Sequence, residues 1–223
     1  MIIAIDGPSG AGKSSVSAEV AKHLGFNCLD TGAMYRAVAC CALDAGIEDD
    51  DEIKLRDIAA NKPIEFTYEE GNPSPVGVSI DGRDVTREIR TSEIDQAVTP
   101  VCQVAGVRTA LVDQQRRIAS SGNYVVEGRD IGTVVLPNAE LKIFMTATAE
   151  ARAQRRVKQN EERGVGETDY NKVLEDMRRR DLADVKRANS PLKRADDGIL
   201  MDTTEMTFEQ VVDQICQLAK DRM

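Results

Sequence analysis

The segment 7–14 constrains this chain more than any other feature of its sequence. It reads Gly-Pro-Ser-Gly-Ala-Gly-Lys-Ser, which is the phosphate-binding loop pattern. The apolar run 2–5 before it predicts a buried strand, and the apolar spacing over 14–24 predicts a helix that ends at Gly25. Glycines let several backbone N–H groups point at one phosphate chain, and the helix N-terminus favours anions. This context predicts nucleotide binding.

Two side chains of the loop have predicted roles of their own. We expect Lys13 to reach the outer phosphates and the Ser14 hydroxyl to hold Mg²⁺. The residues predicted to bind ATP are Gly7, Pro8, Ser9, Gly10, Ala11, Gly12, Lys13, Ser14 and Ser15.

The bulk properties exclude several classes of protein. A chain of 223 residues suits one α/β domain with insertions, and its net charge of −9 argues against binding to nucleic-acid backbone. The five cysteines form no C-x-x-C pair, which favours a reduced, cytoplasmic protein. With His23 as the single histidine, a Ser–His–Asp triad is implausible. No apolar run is long enough to span a membrane, and no exposed apolar stripe is evident, so we expect a soluble monomer.

The apolar runs predict an α/β fold with a parallel sheet. Four further strands are predicted at 26–30, 124–127, 141–145 and 198–202, each followed by a helical pattern. Alternating strands and helices imply helices on both faces of the sheet, with ligands at the carboxyl ends of the strands. Asp6, Asp30 and Asp130 fall at or after strand ends, so we expect them to converge on one cleft. The last helix has a capping signature at Thr207 and Gln210.

Two segments interrupt the alternation. Residues 63–68 and 76–82 predict a small antiparallel insert between the second and third core strands, on the substrate side of the domain. The polar, glycine-punctuated stretch 160–166 predicts a mobile loop between two helices. We therefore predict a single domain over 1–223 with an insert at about 36–100 and a short lid at about 152–170.

Other motifs in the chain indicate which class of nucleotide-binding protein it is. A switch GTPase needs a D-x-x-G loop and an N-K-x-D guanine reader, and the chain has neither. A small kinase remains. An alcohol acceptor would need a carboxylate base, whereas a nucleoside monophosphate needs cations that neutralise two mutually repelling anions. Arginines suit the second task best, and the candidates are Arg36, Arg90, Arg108, Arg129, Arg152, Arg156, Arg180 and Arg187.

Two spacings favour the monophosphate acceptor. Arg180, Asp184 and Arg187 lie at i, i+4 and i+7, which puts them on one face of a predicted helix. The run Gly-Arg-Asp-Ile-Gly-Thr at 128–133 directly follows a core strand, at the ligand edge of the sheet. Taken alone, the first spacing could be a solvent-exposed ion pair, and the second could be a turn stabilised by its aspartate.

At these residues the chain resembles the bacterial cytidylate kinases. The matching segments are 5–14, 29–36 (Leu-Asp-Thr-Gly-Ala-Met-Tyr-Arg), 85–91, 127–133, 179–181, 184–187 and 190–192, so the resemblance covers essentially the whole chain. It implies transfer of the ATP γ-phosphoryl group to CMP or dCMP with Mg²⁺. It also implies the fold of the P-loop NTPases, with five parallel strands in the order 2-3-1-4-5 and a three-stranded insert.

The same resemblance implies roles for individual residues. Thr31, Arg108, Asp130 and Arg187 would surround the cytosine, Thr99, Arg180 and Asp184 would meet the pentose, and Arg36 and Arg129 would grip the acceptor phosphate. Tyr35 and Arg90 complete the predicted CMP-binding set. Lys13, Arg129, Arg187, Arg152 and Arg156 are the predicted catalytic residues, with Arg152, Arg156 and Arg163 closing over ATP as a lid. The alternatives are a kinase of a small alcohol such as shikimate, with Asp30 or Asp130 as base, and a non-catalytic nucleotide-binding module.

Overall fold

The computed structural model describes residues 1–164, 166–187 and 189–223, without the side chain of Arg163. The strands are β1 (Ile2–Asp6), β2 (Asn27–Asp30), β3 (Ile64–Thr67), β4 (Gly77–Ile80), β5 (Arg83–Asp84), β6 (Tyr124–Gly128), β7 (Leu141–Thr146) and β8 (Ile199–Asp202). The helices are α1 (Lys13–Leu24), α2 (Thr31–Asp44), α3 (Glu52–Asn61), α4 (Ser92–Val101), α5 (Ala105–Ala119), α6 (Ala149–Arg163), α7 (Tyr170–Lys186) and α8 (Phe208–Lys220). A 3₁₀ turn spans Glu88–Arg90 and a π-helical turn spans Ile131–Val135.

The main sheet has five parallel strands in the order β2-β6-β1-β7-β8. Counted along the chain, these core strands stand in the predicted order 2-3-1-4-5. The register pairs Asp6 with Gly128, and Asp30 with Glu127. The strand ends that precede the phosphate-binding loop, α2 and the Gly-Arg-Asp turn therefore lie side by side at one edge of the sheet.

Helices cover both faces of this sheet, as predicted. Alternate residues of β1 point to opposite sides, so Ile3 and Ile5 pack in a buried cluster with α1 and α8, while Ala4 belongs to the cluster that contains α2 and α5. The capping box of α8 is present: Thr207 Oγ1 accepts from the backbone N–H of Gln210, whose side chain accepts from the N–H of Thr207.

The antiparallel insert has the predicted three strands, β3-β4-β5. Ile64, Val78 and Ile80 are buried in the cluster that also contains Ala4, so the insert shares the main core. Its loop also covers the edge strand β2, where the backbone N–H of Cys28 donates to Pro73 O at 2.8 Å. Covering an edge strand satisfies backbone groups that would otherwise be open to pairing.

One connection differs from its prediction. A helical pattern is predicted after every core strand, but β6 is followed only by the turn Ile131–Val135 before the chain reaches β7. Pro137 lies just beyond this turn and cannot donate to a continuing helix. The short connection leaves the carboxyl end of β6 open to the neighbouring loops.

The cysteines, the single histidine and the apolar content of the helices can be described for the same part of the chain. All five cysteines are free thiols, and His23 is exposed on α1, 3.2 Å from Glu19. None of the helices in the described ranges combines the length and apolar character that crossing a bilayer requires.

Candidate active site

A cavity of about 590 Å³ opens at the carboxyl ends of β1, β2 and β6. This volume is in the range of sites that hold a small-molecule ligand. The predicted site residues that line it are Ser9, Gly10, Ala11, Gly12, Lys13, Ser14, Ser15, Thr31, Tyr35, Arg36, Arg90, Thr99, Arg108, Arg129, Asp130, Arg156, Arg180, Asp184 and Arg187. Gly7, Pro8 and Arg152 are the predicted site residues that are not part of its wall.

The phosphate-binding loop is held closed by its own lysine. Lys13 begins α1 and is buried, and its Nζ donates to the carbonyl oxygens of Gly7 and Pro8, both at 2.8 Å. Gly12 caps the helix with φ 89°, a left-handed conformation that glycine adopts without strain. The amino end of α1 therefore faces the cavity, where its partial positive charge favours phosphate.

Gly7 lies outside the cavity wall but sets the spacing between the loop and the sheet. Its φ is 153°, and a Cβ at this position would lie 2.0 Å from the carbonyl oxygen of Met145 in β7. Backbone atoms of a central strand cannot move aside cheaply. Only glycine therefore allows the chain to leave β1 at this angle.

We expect Gly7→Ala to lower the free energy of unfolding by more than Gly46→Ala does. Gly46 also has positive φ, at 61°, but a Cβ added there would meet no atom within 4 Å, so its cost is that of the left-handed conformation, about 1–2 kcal/mol. Urea denaturation of both variants measures the difference. Equal losses would show that the contact with Met145 relaxes without cost.

Ser14 pairs with a carboxylate that the sequence analysis did not assign. Ser14 Oγ donates to Glu127 Oε2 at 2.9 Å, and Glu127 is buried at the end of β6. Burial raises the pKa of Glu127, with a further rise from Asp30, while burial and the charge of Arg129 lower the pKa of Lys13. The signal for Glu127 in the sequence was its place at a strand end, directly before Gly-Arg-Asp.

Asp6 does not face the cleft, contrary to the expectation that three strand-end aspartates converge there. Its carboxylate is buried and accepts from the backbone N–H groups of Ile131 at 2.7 Å and Gly132 at 2.8 Å. Burial raises the pKa of Asp6 to about 6, although the two hydrogen bonds oppose that rise. Asp6 instead anchors the Gly-Arg-Asp turn to the start of the phosphate-binding loop. Asp30 and Asp130 do line the cavity.

Buried polar side chains form the end of the cavity below α2. Thr31 Oγ1 donates to Glu127 O at 2.7 Å, so its hydroxyl oxygen remains able to accept. Arg108 forms a buried ion pair with Asp130, and its guanidinium carbon lies 5.6 Å from the ring centre of Tyr35. This pocket presents acceptors and donors side by side, which suits a planar heterocycle with both kinds of group.

Arg187 supplies further donors to the same pocket. Its side chain is only 7% exposed, and its Nε and Nη2 have no hydrogen-bond partner among the described residues. Unpaired buried donors are costly, so their presence at a cavity wall indicates a ligand that accepts from them. Arg187 follows Lys186, the last residue of α7, as its cap, and its Nε lies 4.0 Å from Asp184 Oδ1, so it still shares the cavity with Arg180 and Asp184 as predicted.

Asp184 and Arg180 also contact residues outside α7. Arg129 Nε donates to Asp184 Oδ2 at 2.9 Å, whereas Arg180 Nη2 donates to the backbone carbonyl of Asp95 at 3.2 Å. Asp95, on α4, also forms an ion pair with Arg36 of α2. Asp95 was not assigned from the sequence, although its place one turn before Thr99 on α4 was a usable signal.

Arg90 and Asp30 form the far rim of the cavity. Arg90 Nη2 lies 3.2 Å from Asp30 Oδ2, and the other carboxylate oxygen of Asp30 caps α2 by accepting from the N–H of Ala33 at 3.1 Å. Both oxygens of Asp30 are therefore occupied by protein donors.

The predicted lid helix, α6, contributes different arginines from those expected. Arg152 is buried behind the loop, where it donates to Ala147 O and Ser9 O, both at 2.9 Å, and pairs with Asp181 of α7 at 2.6 Å. Because these bonds hold Arg152 against the protein, it does not close over ATP as expected. Arg152 supports the phosphate-binding loop instead. Arg156 lines the cavity as predicted, and Arg155 and Gln159, which the prediction omitted, lie on the same wall. Val165 of the predicted lid and the Arg163 side chain lie outside the described residues.

Comparisons with known proteins agree on one family. The family model described as cytidylate kinase matches residues 3–221. Three similar proteins named cytidylate kinase come from Streptococcus suis (48% identical, covering 98% of this chain and 96% of that protein), Nocardia farcinica (47%, 100% and 95%) and Saccharophagus degradans (43%, 100% and 98%).

Solved structures give the fold alone. An uncharacterized protein from Eubacterium ventriosum covers 100% of this chain and 99% of its own at a TM-score of 0.53 and 14% identity. Because the family match and the full-length relatives at well over a third identity cover nearly every residue, the chain belongs to the cytidylate kinase family.

Proposed function

We propose that this protein transfers the γ-phosphoryl group of ATP to CMP or dCMP, directly and in line, giving ADP and CDP or dCDP. Its family membership supports the activity. The observation that carries the proposal is a single cavity that joins a phosphate-binding loop to a buried Arg–Asp pocket. A donor and an acceptor can meet there within one cavity.

The loop end of the cavity is proposed to hold ATP. Backbone N–H groups at the start of α1 would bind the phosphates, and Lys13 would exchange its bonds to Gly7 O and Pro8 O for phosphate oxygens. The negative charge of ATP would restore the lowered pKa of Lys13. Beyond the loop, Met206, Phe208 and Arg155 line the wall, and they offer apolar and cationic surfaces on which the adenine can lie.

Ser14 is proposed to hold the Mg²⁺ that accompanies ATP. The hydroxyl of Ser14 lies 2.9 Å from a carboxylate oxygen of Glu127, and oxygen donors of these two kinds suit Mg²⁺. When bound, the ion would neutralise charge on the donor phosphates. By accepting the proton of the Ser14 hydroxyl, Glu127 would keep the Ser14 oxygen available to the ion.

The buried pocket is proposed to read cytosine. The N4 amino group of cytosine can donate to Asp130 and to Thr31 Oγ1. The Thr31 oxygen is able to accept because the hydroxyl proton is donated to Glu127 O. The N3 and O2 atoms of cytosine can accept from Arg108 and from the unpaired donors of Arg187. Uracil presents an acceptor in place of N4, which would face the Asp130 carboxylate.

The sugar and phosphate of CMP are proposed to lie between this pocket and the loop. Thr99, Arg180 and Asp184 would meet the pentose, and Arg36 and Arg129 the phosphate, with Arg90 and Tyr35 on the rim. A monophosphate is largely dianionic at neutral pH, so its oxygen attacks without help from a base. Lys13, Arg129, Arg187 and Arg156 would stabilise the charge on the transferred group.

A lid over the donor is proposed from α6 and the start of α7. Arg152 ties α6 to Ser9 of the loop and to Asp181 of α7, so movement of these helices would carry the loop with it. Closure would exclude water and limit ATP hydrolysis. We propose the insert at about 36–100 as the acceptor-binding part and 152–170 as the lid of one domain.

The small-alcohol alternative is less well supported by the side chains. Its base would be Asp30 or Asp130, but Asp30 caps α2 and pairs with Arg90, and Asp130 pairs with Arg108. Both carboxylates therefore already accept hydrogen bonds from protein donors. A non-catalytic module would leave the Arg129 and Arg187 side chains without a role. We propose a cytoplasmic monomer that acts on small molecules and not on nucleic acid.

A steady-state assay of ADP release tests the proposal. With Mg·ATP and a panel of CMP, dCMP, UMP, AMP, GMP and shikimate, we expect rapid turnover with CMP and dCMP alone. Preferred turnover of UMP or AMP would contradict the base-reading pocket. Turnover of shikimate would favour the alcohol kinase, and binding of ATP without any turnover would favour the non-catalytic module.

A further inference from the structure

The Asp95 carboxylate lies beside Arg36, which is proposed to bind the acceptor phosphate. Asp95 of α4 pairs with Arg36, and its backbone carbonyl accepts from Arg180 at 3.2 Å. Asp95, Arg36, Arg180 and Arg156 all line the cavity, and the three arginines come from three different helices. The side chains of Asp95 and Arg36 are 24% and 23% exposed, so their ion pair is only partly open to solvent.

The surroundings keep Asp95 ionised. Burial alone would raise its pKa, but the nearby charges of Arg36, Arg180 and Arg156 outweigh burial and lower the pKa below its usual value. Asp95 therefore stays negative wherever the enzyme is folded and near neutral pH. A phosphate that approaches Arg36 meets this charge at close range.

We propose that the Asp95 carboxylate competes with the acceptor phosphate for the guanidinium of Arg36, and so weakens the binding of CMP and of its product CDP. The inference rests on the proposed CMP site. A guanidinium has one planar fork, and a carboxylate that occupies it must give way or share it with a phosphate. Asp95 also lies one turn from Thr99 on α4, so its charge is close to the residue proposed to meet the pentose.

This competition would favour release of the diphosphate product. Arg36 and Arg129 would otherwise hold the phosphates of the product tightly, and product release limits the turnover of many enzymes. An internal anion that reclaims Arg36 lowers the affinity for every phosphate-bearing ligand of this site. It leaves the affinity for the base unaffected, because the Arg108–Asp130 pocket lies on other elements.

The test compares the binding of CMP, CDP and cytidine to Asp95→Asn by titration calorimetry. We expect CMP and CDP to bind roughly tenfold more tightly, since one charge pair near a protein surface contributes at this level. Cytidine has no phosphate, so its affinity should stay within about twofold of the parent value, the scatter of near-neutral surface substitutions. Unchanged or weaker CMP binding would overturn the proposal, as would an equal change for cytidine, which would indicate a sugar-reading or structural role.

Three further variants complete the experiment. Glu93→Gln removes the same charge from an exposed position in the same first turn of α4, and it should leave CMP affinity unchanged. Equal tightening there would overturn the proposal in favour of general charge. Asp95→Glu retains the charge and should keep CMP binding weak, while Asp95→Ser replaces Asp95→Asn if that variant does not fold. A parent protein that fails to bind CMP would instead refute the proposed function.

Discussion

Replacing Arg129 by alanine is expected to lower kcat for CMP by about three orders of magnitude, the scale of an arginine that stabilises phosphoryl transfer. Arg129 directly follows β6, beside the point where β1 leads into the phosphate-binding loop, and it lines the cavity that joins the proposed donor and acceptor sites. Arg129→Lys keeps the charge but not the planar fork, so we expect an intermediate loss. Steady-state kinetics with CMP and Mg·ATP measure both variants.

The control for this experiment is Arg179→Ala. Arg179 is an exposed arginine of α7 that pairs with Asp176 on the same helix, away from the cavity. It should retain the parent kcat. Because Arg129 pairs with Asp184, thermal unfolding must first establish that Arg129→Ala is folded. A folded Arg129→Ala with near-normal turnover would remove Arg129 from the acceptor-phosphate site.

Replacing Asp130 by asparagine is expected to remove most of the preference for CMP over UMP, measured as the ratio of their kcat/KM values. A site built to hydrogen-bond one group can reject an analogue lacking it by about 10⁴-fold in favourable cases, and most of that ratio should disappear. Asparagine keeps an oxygen for Arg108 and adds an N–H donor that suits O4 of uracil. The measurement is kcat/KM for each nucleotide, and the ratio matters more than either value.

The choice of asparagine protects the fold. Asp130→Ala would leave Arg108 buried with neither its ionic partner nor a hydrogen-bond acceptor, which costs about 3–5 kcal/mol, whereas asparagine keeps the acceptor oxygen. Asp113→Asn, at an exposed position of α5, removes the same charge outside the cavity and should not change the ratio. If folded Asp130→Asn still prefers CMP as strongly as the parent, another residue reads the base.

The parts of the site that follow from local sequence were predictable. The loop 7–14 and the turn 128–133 have short-range signatures, because their glycines and charged residues act through their own backbone. The strand order and the three-stranded insert, which the resemblance implied, are confirmed. Most predicted site residues line one cavity because parallel strands end at one edge of the sheet.

The errors lie where a side chain's direction depends on a distant partner. Arg152 and Arg156 are one turn apart on α6, yet Arg152 turns back to Ser9 and Asp181 while Arg156 faces the cavity. Asp6 and Asp30 both end strands, but Asp6 points at the N–H groups of the neighbouring turn. Composition and spacing carry no record of such contacts.

By itself, the sequence determined the phosphate-binding loop, the alternation of strands and helices and the family, because each depends on residues close together in the chain. The tertiary structure decided which charged groups meet. The pairs Ser14–Glu127, Arg36–Asp95 and Arg129–Asp184 join residues at least 55 positions apart. Their choice depends on strand register and on burial, which leaves each buried charge only the partners that packing brings within hydrogen-bond distance.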